Sequence, residues 1–453
     1  MSGGISRREA LAAMVGGVAQ ALAPAPAAAR PNILFLFSDD HHYQALGAAG
    51  NPAIRTPSLD RLAERGVLFE NATVATPQCC PSRGTLLSGR YTHQSGLLSN
   101  GRRNFRPGLG PLTVAQLSQA GYHSALIGKW HVQPRPADCG FTEVRAWLPG
   151  GASRYTDPAL AHGPDGRPEP VKGYITDIFA DDAIRFLEEK RKAPFFLWLA
   201  FNAPHAPLLP EDYTAEELGM YGGRPEEELA PPAHGRWETK FNWAIYYTAV
   251  TRLDRAIGRI VAALERTGQA ANTVIFFLGD NGFLCGAHNQ QGKVLAWEES
   301  VRVPLVACGP GIQAGVRSDA PVSSIDLPVS WLEMAGVRVP REFAGQSLLP
   351  LLGDGGLKAA TGKVAREEAF CEWDDGQPGA LAAPTRVVEP YRQVRTRTHK
   401  YVLFESRREE LYAFREDPQE RANLAGRAPA VQRDLEARLR RWIEATADRA
   451  RDW

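Results

Sequence analysis

The chain has 453 residues, of which 44% are hydrophobic and 23% are charged, and its formal net charge is +1. This length predicts a large domain joined to a smaller one, and the composition is typical of a soluble globular protein. The small net charge gives no electrostatic reason to expect nucleic acid or a charged membrane surface as a partner. The six cysteines lack metal-finger spacing and two of them are adjacent, so the sequence does not indicate a disulfide scaffold.

The first 29 residues have the pattern of an export signal. Arg7 and Arg8, followed by Leu11 and a stretch rich in Ala, Val and Gly, resemble a twin-arginine signal. A membrane anchor is the alternative, but the run is short and rich in small residues. No other segment is long and apolar enough to span a bilayer. We therefore expect cleavage near Ala29 and an exported protein, periplasmic or secreted, without stable membrane insertion.

The apolar run at residues 33–37 predicts a strand that is buried on both faces. It is followed by Asp39 and Asp40, two adjacent carboxylates that repel each other unless a cation or a base lies between them. An exposed acidic turn is the simpler interpretation. A divalent cation is the alternative, because hard cations take oxygen ligands. A short helix (58–65) and an extended segment (67–74) come next.

Residues 76–89 predict a helix that begins beside a cysteine. Pro81 suits a first helical turn, and Gly89 suits the end of a helix. The beginning of a helix presents free N–H groups and the positive end of the helix dipole, which favours a bound anion. Cys79 is a candidate nucleophile there, and Arg83, one turn further on, can donate two hydrogen bonds to an oxyanion. Taken alone, a buried thiol beside a surface arginine is the simpler interpretation.

The middle of the chain alternates between apolar runs and helical patterns. Strands are predicted at 123–127, 195–201, 274–278 and 303–307, and helices at 112–119, 178–190, 241–266 and 325–335. Residues 132–172 and 207–236 are predicted to form surface loops. The polar residues that follow the strands are Lys129 and His131, then His205, then Asp280 and Asn281, with Lys293 a short loop later.

This alternation predicts an α/β fold with a mainly parallel sheet between layers of helices. Ligands in such sheets bind beyond the carboxyl ends of the strands. Four strand ends bring polar side chains to that edge, so together with Cys79 and Arg83 they predict one common site. Each residue alone has a simpler interpretation, such as a surface lysine, a histidine that caps a turn or an Asn-Gly hairpin turn.

A linker rich in Gly, Ala and Lys, between residues 353 and 363, leads to a smaller unit. Extended sequence at 391–404, a short strand from Leu411 and a charged helix at 429–449 predict a small α+β subdomain with an antiparallel sheet. The predicted organisation is a signal segment (1–29), a large domain (30–352) and a C-terminal subdomain (364–453).

The sequence Cys-Cys-Pro-Ser-Arg at residues 79–83 resembles the signature of the formylglycine-dependent sulfatases. The resemblance extends over nearly the whole mature chain, from Asp39 to the Asp-Pro-Gln-Glu-Arg-Ala-Asn-Leu segment near the C-terminus. It implies the fold of the alkaline phosphatase superfamily, with a catalytic large domain that hydrolyses a sulfate monoester. The substrate would be a saccharide or an aryl alcohol.

The resemblance also implies two cofactors. One is a Ca²⁺ or Mg²⁺ ion held by Asp39, Asp40, Asp280, Asn281 and the modified Cys79. The other is formylglycine (3-oxoalanine), made from Cys79 by a formylglycine-generating enzyme, whose hydrated gem-diol would attack the sulfur atom.

Roles for the remaining residues follow from the same resemblance. The cations that would neutralise the sulfate are Arg83, Lys129 and Lys293. Asp280 would assist deprotonation of the nucleophile, and His205 or Lys293 would protonate the leaving alcohol. His131 would take the proton of the second hydroxyl and so expel sulfate. His41 and His42 are not matched and are interpreted as supporting residues.

Substrate contacts are less defined. His288 matches a frequent family position, and Arg395 lies on a segment whose alternate members face one way, so both are predicted to contact substrate. A solvated strand face is the alternative for Arg395. The doubled cysteine and the Glu298-Glu299-Ser300 segment resemble carbohydrate sulfatases, including those acting on 6-sulfated N-acetylglucosamine.

Three other functions remain open from the sequence. A phosphonate or phosphate ester hydrolase of the same superfamily would share the fold and the nucleophile. An exported, non-catalytic anion-binding protein requires Cys79 to remain a thiol. A redox role for Cys79 and Cys80 lacks the surrounding pattern of a redox domain.

Overall fold

The computed structural model describes residues 30–353, 366–374 and 388–453. The predicted signal segment, and the predicted linker beyond Gly353, lie outside these residues. The described residues from Pro31 onward belong to one compact unit. Within the described ranges, no helix is both long and apolar enough to cross a membrane.

The described strands and helices follow one another in an irregular alternation. The strands are β1 (Asn32–Ser38), β2 (Gly66–Phe69), β3 (Ala72–Thr73), β4 (His123–Lys129), β5 (Glu143–Leu148), β6 (Ala159–His162), β7 (Glu169–Pro170), β8 (Phe195–Ala200), β9 (Thr273–Gly279), β10 (Leu305–Cys308), β11 (Val316–Ser318), β12 (Val322–Ser323), β13 (Ala369–Trp373), β14 (Tyr391–Arg395), β15 (Lys400–Phe404) and β16 (Glu409–Tyr412). The α-helices are α1 (Pro57–Glu64), α2 (Cys79–Ser88), α3 (Thr92–Ser95), α4 (Thr113–Gln119), α5 (Ile175–Glu188), α6 (Ala215–Gly219), α7 (Glu226–Leu229), α8 (Trp243–Arg266), α9 (Glu298–Val301), α10 (Asp326–Met334), α11 (Leu349–Leu352) and α12 (Pro429–Ala445). Short 3₁₀ helices lie at Gly47–Ala49, Ala137–Cys139, Pro210–Asp212, Ala270–Asn272, Ala287–Asn289 and Arg449–Asp452.

The main sheet has the strand order β11-β2-β10-β9-β1-β8-β4-β5-β6-β7. Its centre, from β9 through β1, β8 and β4 to β5, is parallel throughout, and antiparallel pairs join β10 to β9 and β6 to β5. The predicted α/β fold with a mainly parallel sheet is therefore confirmed. The parallel arrangement brings the carboxyl ends of β1, β4, β8 and β9 to the same edge.

Strand β1 is apolar at every position from 33 to 37 because both of its faces are covered. Ile33, Phe35 and Phe37 belong to one core cluster, whereas Leu34 and Leu36 belong to a second cluster on the other face. The first cluster includes residues of α2, α4 and α10, and the second includes residues of α5 and α8. A strand between two layers of helices has no solvent-facing side, which removes the alternation of polar and apolar residues.

Strands β13 to β16 form a separate antiparallel sheet. Leu435, Leu439 and Trp442 of α12 pack in one cluster with residues of these strands. This is the antiparallel sheet that the sequence predicted near the C-terminus. Its first two strands are separated by residues 375–387, which the structure does not describe.

Three local predictions differ from the structure. Residues 207–236, predicted as loops, contain the short helices α6 and α7. Residues 132–172, predicted as loops, contain β5, β6 and β7, whose short strands are hidden in the sequence by the Pro and Gly residues between them. The extended segment 391–404 is a hairpin of β14 and β15, because the backbone N–H of Thr396 donates to the carbonyl of His399 and closes a turn (2.9 Å).

Helix α2 ends at Ser88, and Gly89 follows it as the predicted stop. Gly89 is left-handed (φ 62°), and its N–H donates to the carbonyl of Thr85 (2.8 Å). A Cβ atom at Gly89 would lie 2.2 Å from the ring of Phe343. Both the backbone conformation and the contact therefore require glycine at this position.

Candidate active site

The ends of β1 and β9 are bonded to each other beyond the last pair of the sheet. The N–H of Asp280 donates to the carbonyl of Ser38 (2.9 Å), and the N–H of His41 donates to the carbonyl of Asn281 (3.0 Å). The N–H of Asp40 donates to a carboxylate oxygen of Asp280 (3.1 Å), and Nδ2 of Asn281 donates to the carboxylate of Asp40 (2.7 Å). Three of the predicted metal ligands, Asp40, Asp280 and Asn281, therefore lie together, as the shared sheet edge requires.

Cys79 is the first residue of α2, and its side chain lies beside these predicted ligands. Its Sγ lies 3.3 Å from Oδ1 of Asp39 and 3.9 Å from Oδ1 of Asp40. The ammonium of Lys293 donates to Sγ across 2.7 Å and also contacts the carboxylate of Asp40. All four side chains are at least nine-tenths buried. The candidate nucleophile therefore lies between the predicted ligands and a cation.

Two further cations line the same cluster. The guanidinium of Arg83 donates to Asp39 (3.3 Å) and to Asp280 (3.0 Å), and its other terminal nitrogen donates to the carbonyl of Lys129 (2.7 Å). The ammonium of Lys129 contacts the carboxylate of Asp39. Arg83, Lys129 and Lys293 together carry three positive charges beside three carboxylates, a mixture that can hold an oxyanion and a divalent cation side by side.

Lys129 reaches the site because β4 is irregular just before it. The pairing of β4 with β5 shifts register between Leu126 and Gly128. Gly128 has a φ of 102°, and a Cβ atom there would lie 1.9 Å from the carbonyl oxygen of Ala200 on β8. Only glycine permits this close approach, and the resulting turn of the backbone directs the residues after it to the sheet edge.

Two histidines complete the site. Nε2 of His205 lies 3.6 Å from Asp40, while its Nδ1 bonds to the carbonyl of Ala206 (2.5 Å). His131 is 7% exposed and adopts a left-handed backbone (φ 62°). Burial lowers the pKa of both imidazoles, and the nearby Lys129 adds to the effect, to about 2 for His131. His131 is therefore neutral at working pH.

The carboxylates and the thiol differ in how their environment changes their pKa. Burial would raise the pKa of Asp39, but Lys129, His205, Arg83 and Lys293 hold it well below its usual range. Burial and the charge of Asp39 raise the pKa of Asp280 to about 7. Burial, together with Asp39, also raises the pKa of Cys79 well above its usual value, so the unmodified side chain is a protonated thiol at neutral pH.

The donor set fits a hard divalent cation. Asp39, Asp40, Cys79 and His205 each offer one ligand atom, and these atoms lie within 4.8 Å of one another. Asn281 adds a buried Oδ1 that has no hydrogen-bond partner among the described residues. A buried amide oxygen without a donor is costly unless a cation or water satisfies it. Carboxylate and amide oxygens are the ligands that Ca²⁺ and Mg²⁺ prefer.

The two predicted substrate contacts, His288 and Arg395, each lie beside a carboxylate of the short helix α9. His288 stacks on Trp297 (ring centroids 3.8 Å apart), and its Nε2 lies 3.4 Å from Glu299. Arg395 is 1% exposed, and two of its nitrogens donate to the carboxylate of Glu298. Neither side chain contacts the residues around Cys79. Alternation along a strand correctly groups side chains by face, but it does not say which face is buried.

Two supporting residues were missed from the sequence. The hydroxyl of Tyr246, on α8, donates to the carbonyl of Asp40 (2.6 Å) and accepts from the N–H of His42 (2.8 Å). Asn100 accepts from the N–H of Cys80 (3.1 Å). A tyrosine at helical spacing looks like an ordinary core residue, and no sequence signal distinguishes it. His41 is a supporting residue, as predicted, because its ring bonds to Ser38 and to the carbonyl of Ala45.

Comparison with known proteins gives two family models that match the chain. The model described as Sulfatase matches residues 31–337, and the model described as N-sulphoglucosamine sulphohydrolase, C-terminal, matches residues 286–445. The second match spans α9 and the C-terminal sheet. Together the two models cover most of the described residues.

Similar individual proteins are found among curated sequences and solved structures. The chain is 28% identical to the N-acetylglucosamine-6-O-sulfatase of Bacteroides thetaiotaomicron, over 93% of this chain and 87% of the relative. It is 31% identical to the N-acetylgalactosamine-6-sulfatase of Canis lupus familiaris, over 75% of this chain and 69% of the relative. A solved structure in complex with its substrate D-glucosamine-2-N,6-O-disulfate is 28% identical, with a TM-score of 0.78 over 93% of this chain and 99% of that chain.

Proposed function

Since this chain belongs to the sulfatase family of the alkaline phosphatase superfamily and is a sulfuric ester hydrolase, we propose that its substrate is a saccharide with a 6-sulfated hexosamine. The two curated relatives are 6-sulfatases of N-acetylated hexosamines, and the similar solved structure contains a 6-O-sulfated glucosamine. The match extends over nearly the whole chain in two of these three comparisons, which supports transfer of the substrate class.

The single observation that carries the proposed mechanism is the position of Cys79. Its Sγ lies at the first residue of α2, 3.3 Å from Asp39 and 2.7 Å from Lys293. We propose that Cys79 is converted to formylglycine by a formylglycine-generating enzyme. The hydrated aldehyde supplies a hydroxyl nucleophile for sulfur and a second hydroxyl through which sulfate is released. Unmodified Cys79 offers neither.

We propose Ca²⁺, with Mg²⁺ as the alternative, as the ion of the site. Asp39, Asp40, Asp280 and Asn281 would hold it, and residue 79 would complete the set. The ion would supply charge that stabilises the developing negative charge on the sulfate. The four proposed protein ligands all offer oxygen atoms, which these ions prefer, whereas zinc prefers nitrogen and sulfur donors.

The chain's own residues divide the remaining work between binding and proton transfer. In the proposed complex, the oxygen atoms of the sulfate are bound by Arg83, Lys129 and Lys293. In the structure, these three cations contact carboxylates. Lys293 and His205 lie beside Asp40 and are the donors available to a leaving alcohol. His131, two residues after Lys129 in the chain, is the acceptor for the proton removed when sulfate leaves.

The test is to produce the protein with and without a formylglycine-generating enzyme. The peptide that contains residue 79 should have the mass of an aldehyde, and turnover of an aryl sulfate should follow the modified fraction. Cys79→Ala should abolish turnover, while the neighbouring Cys80→Ala serves as a matched control that retains it. Full activity with a thiol at position 79 would disprove the proposed mechanism. Greater turnover of an aryl phosphonate ester than of the sulfate would disprove the substrate class.

We also propose export through a twin-arginine pathway, which carries folded proteins. The support is the pattern of Arg7, Arg8 and Leu11 before an apolar stretch. Replacing both arginines by lysine should leave active enzyme in the cytoplasm. The same distribution between cytoplasm and periplasm for both forms would rule this route out.

A further inference from the structure

Two arginines beside the nucleophile helix have no part in the proposed chemistry. Arg102 is exposed and Arg103 is partly exposed, on the loop of residues 99–106 that follows α3. Neither guanidinium has an ion pair with another described residue, whereas the cations inside the site all contact carboxylates. We propose that Arg102 and Arg103 bind a second anionic group of the saccharide, besides the sulfate that is hydrolysed. This inference rests on the proposed function.

The beginning of the loop is bonded directly to the nucleophile helix. Oδ1 of Asn100 accepts from the N–H of Cys80 (3.1 Å), and the N–H of Asn100 donates to Oε1 of Gln78 (2.7 Å). These two partners flank Cys79 in the chain. Arg102 therefore lies two residues after Asn100, and Asn100 is hydrogen-bonded to Cys80, the residue that follows the candidate nucleophile.

The middle and the end of the loop are fixed as well. The carbonyl of Arg103 accepts from the N–H of Gln133 (3.1 Å), two residues beyond His131. The N–H of Arg106 donates to the carbonyl of Ser95 (2.7 Å), and Phe105 packs against the core cluster on one face of the main sheet. A loop held at three places loses little conformational freedom when its side chains bind a ligand.

A guanidinium recognises planar or tetrahedral oxyanions through paired hydrogen bonds. The scissile sulfate already has three cations inside the site. The charge of Arg102 and Arg103 therefore suits an anionic group on the same sugar or on its neighbour. A second sulfate and a uronate carboxylate share this chemistry, and both place negative charge outside the buried site.

The experiment compares the modified, metal-containing wild-type enzyme with the double variant Arg102→Gln/Arg103→Gln. The control is Lys192→Gln, which removes one positive charge from an exposed position just before β8, at the opposite edge of the sheet. The substrates are N-acetylglucosamine 6-sulfate, glucosamine 2-N,6-O-disulfate and a uronate-linked disaccharide of the first. The first has one anionic group, the second adds a sulfate and the third adds a carboxylate.

For at least one doubly charged substrate, kcat/KM relative to the singly charged one should fall about five- to tenfold in the double variant. The loss should lie in KM and shrink at high salt, because exposed charges are screened. The control should keep the wild-type ratio. A loss on the disulfate identifies the second anion as sulfate, and a loss on the uronate-linked disaccharide identifies it as carboxylate. An unchanged ratio for both, or an equal loss on all three substrates, would overturn the inference.

Binding separates this inference from the proposed function. In the full-length Cys79→Ser background, calorimetry with the doubly charged saccharides should show weaker binding when both arginines are replaced. If the wild-type enzyme hydrolyses no saccharide sulfate but this difference persists, the proposed substrate fails and the anion site stands. If hydrolysis is observed without any difference, only the anion site fails. Absence of both would overturn both.

Discussion

The guanidinium of Arg83 donates to the carboxylate of Asp280 across 3.0 Å, although 197 positions separate the two residues in the chain. Both side chains are almost fully buried. The contact joins the second turn of α2 to the end of β9, so it links the helix that presents the candidate nucleophile to two proposed metal ligands. A change at Asp280 therefore alters the cation proposed to bind sulfate as well as the charge at the proposed metal site.

Asp280→Asn should lower kcat at least about 100-fold, because it removes a charge at the centre of the site. The protein should remain folded, since Arg83 keeps its second partner, Asp39. Circular dichroism and steady-state turnover of an aryl sulfate measure the two effects. Asp165→Asn, at an exposed position of the turn before β7, makes the same chemical change and should leave turnover intact. Wild-type kcat in the Asp280 variant would contradict its assignment.

Removal of the metal should lower both turnover and the melting temperature. Asp39, Asp40 and Asp280 crowd three carboxylates into a buried cluster, and a ligand that binds only the folded state contributes about 2.7 kcal/mol at 100 times its Kd. Dialysis against a chelator, followed by thermal melting and elemental analysis, tests this. Ca²⁺ or Mg²⁺ should restore both properties, without zinc. An enzyme that contains no metal yet keeps full activity would exclude the site.

Arg395→Gln should destabilise the fold rather than impair recognition of the saccharide. It leaves the buried carboxylate of Glu298 without its two strongest donors, a change that costs about 3–5 kcal/mol in comparable buried pairs. Arg397→Gln is the matched control: its half-exposed guanidinium pairs with Asp319, and such pairs contribute at most about 1 kcal/mol. Thermal melting should separate the two variants. A selective rise in KM for the saccharide, with unchanged stability, would instead support substrate contact by Arg395.

The pair of His93 and Glu372 should make stability depend on pH. Nδ1 of His93 lies 2.6 Å from the carboxylate of Glu372. Burial would lower the pKa of His93, but Glu372 raises it above its usual value. Burial would raise the pKa of Glu372, but His93 and Arg392 hold it well below its usual value. The imidazolium and the carboxylate therefore stabilise each other in the folded state.

A raised histidine pKa adds stability that is complete below about pH 6.5 and is lost as the pH rises through the folded value. A lowered glutamate pKa adds stability above about pH 4.3 that is lost as the pH falls. His93→Gln should therefore lower the melting temperature most near about pH 5.5 and less near about pH 9. His162→Gln, at an exposed position on β6, is the control. The same loss at both pH values would exclude the linkage.

Most of the candidate site was predictable because parallel strands end at a common edge. Asp39, Asp280 and His205 each follow an apolar run, and their convergence requires only that the strands are parallel neighbours. The helix signals made Cys79 a candidate nucleophile, but its assignment came from the resemblance of residues 79–83 to the sulfatase signature. The residues proposed to carry the chemistry therefore lie at the ends of buried strands, which are the elements that local sequence pattern predicts best.

Other features depend on contacts that local pattern does not encode. Arg395 was assigned to the correct kind of strand, but its burial results from Glu298, almost 100 residues earlier. The strands within 132–172 add to an edge of the main sheet and are too short to show a clear alternation. Both the burial of Arg395 and the pairing of these strands depend on partners that are far apart in sequence.

The contact between Gly89 and Phe343 has a consequence for mutational tolerance. Helix α2 is ten residues long, so its two ends are separated by only about 15 Å. Any side chain at position 89 would overlap the ring of Phe343, so either the ring or the end of the helix must move. A shift of the helix would reach Cys79, whose distance to Asp39 is set by where the helix begins. A substitution remote from all reacting atoms can therefore inactivate the enzyme by misplacing an otherwise intact nucleophile.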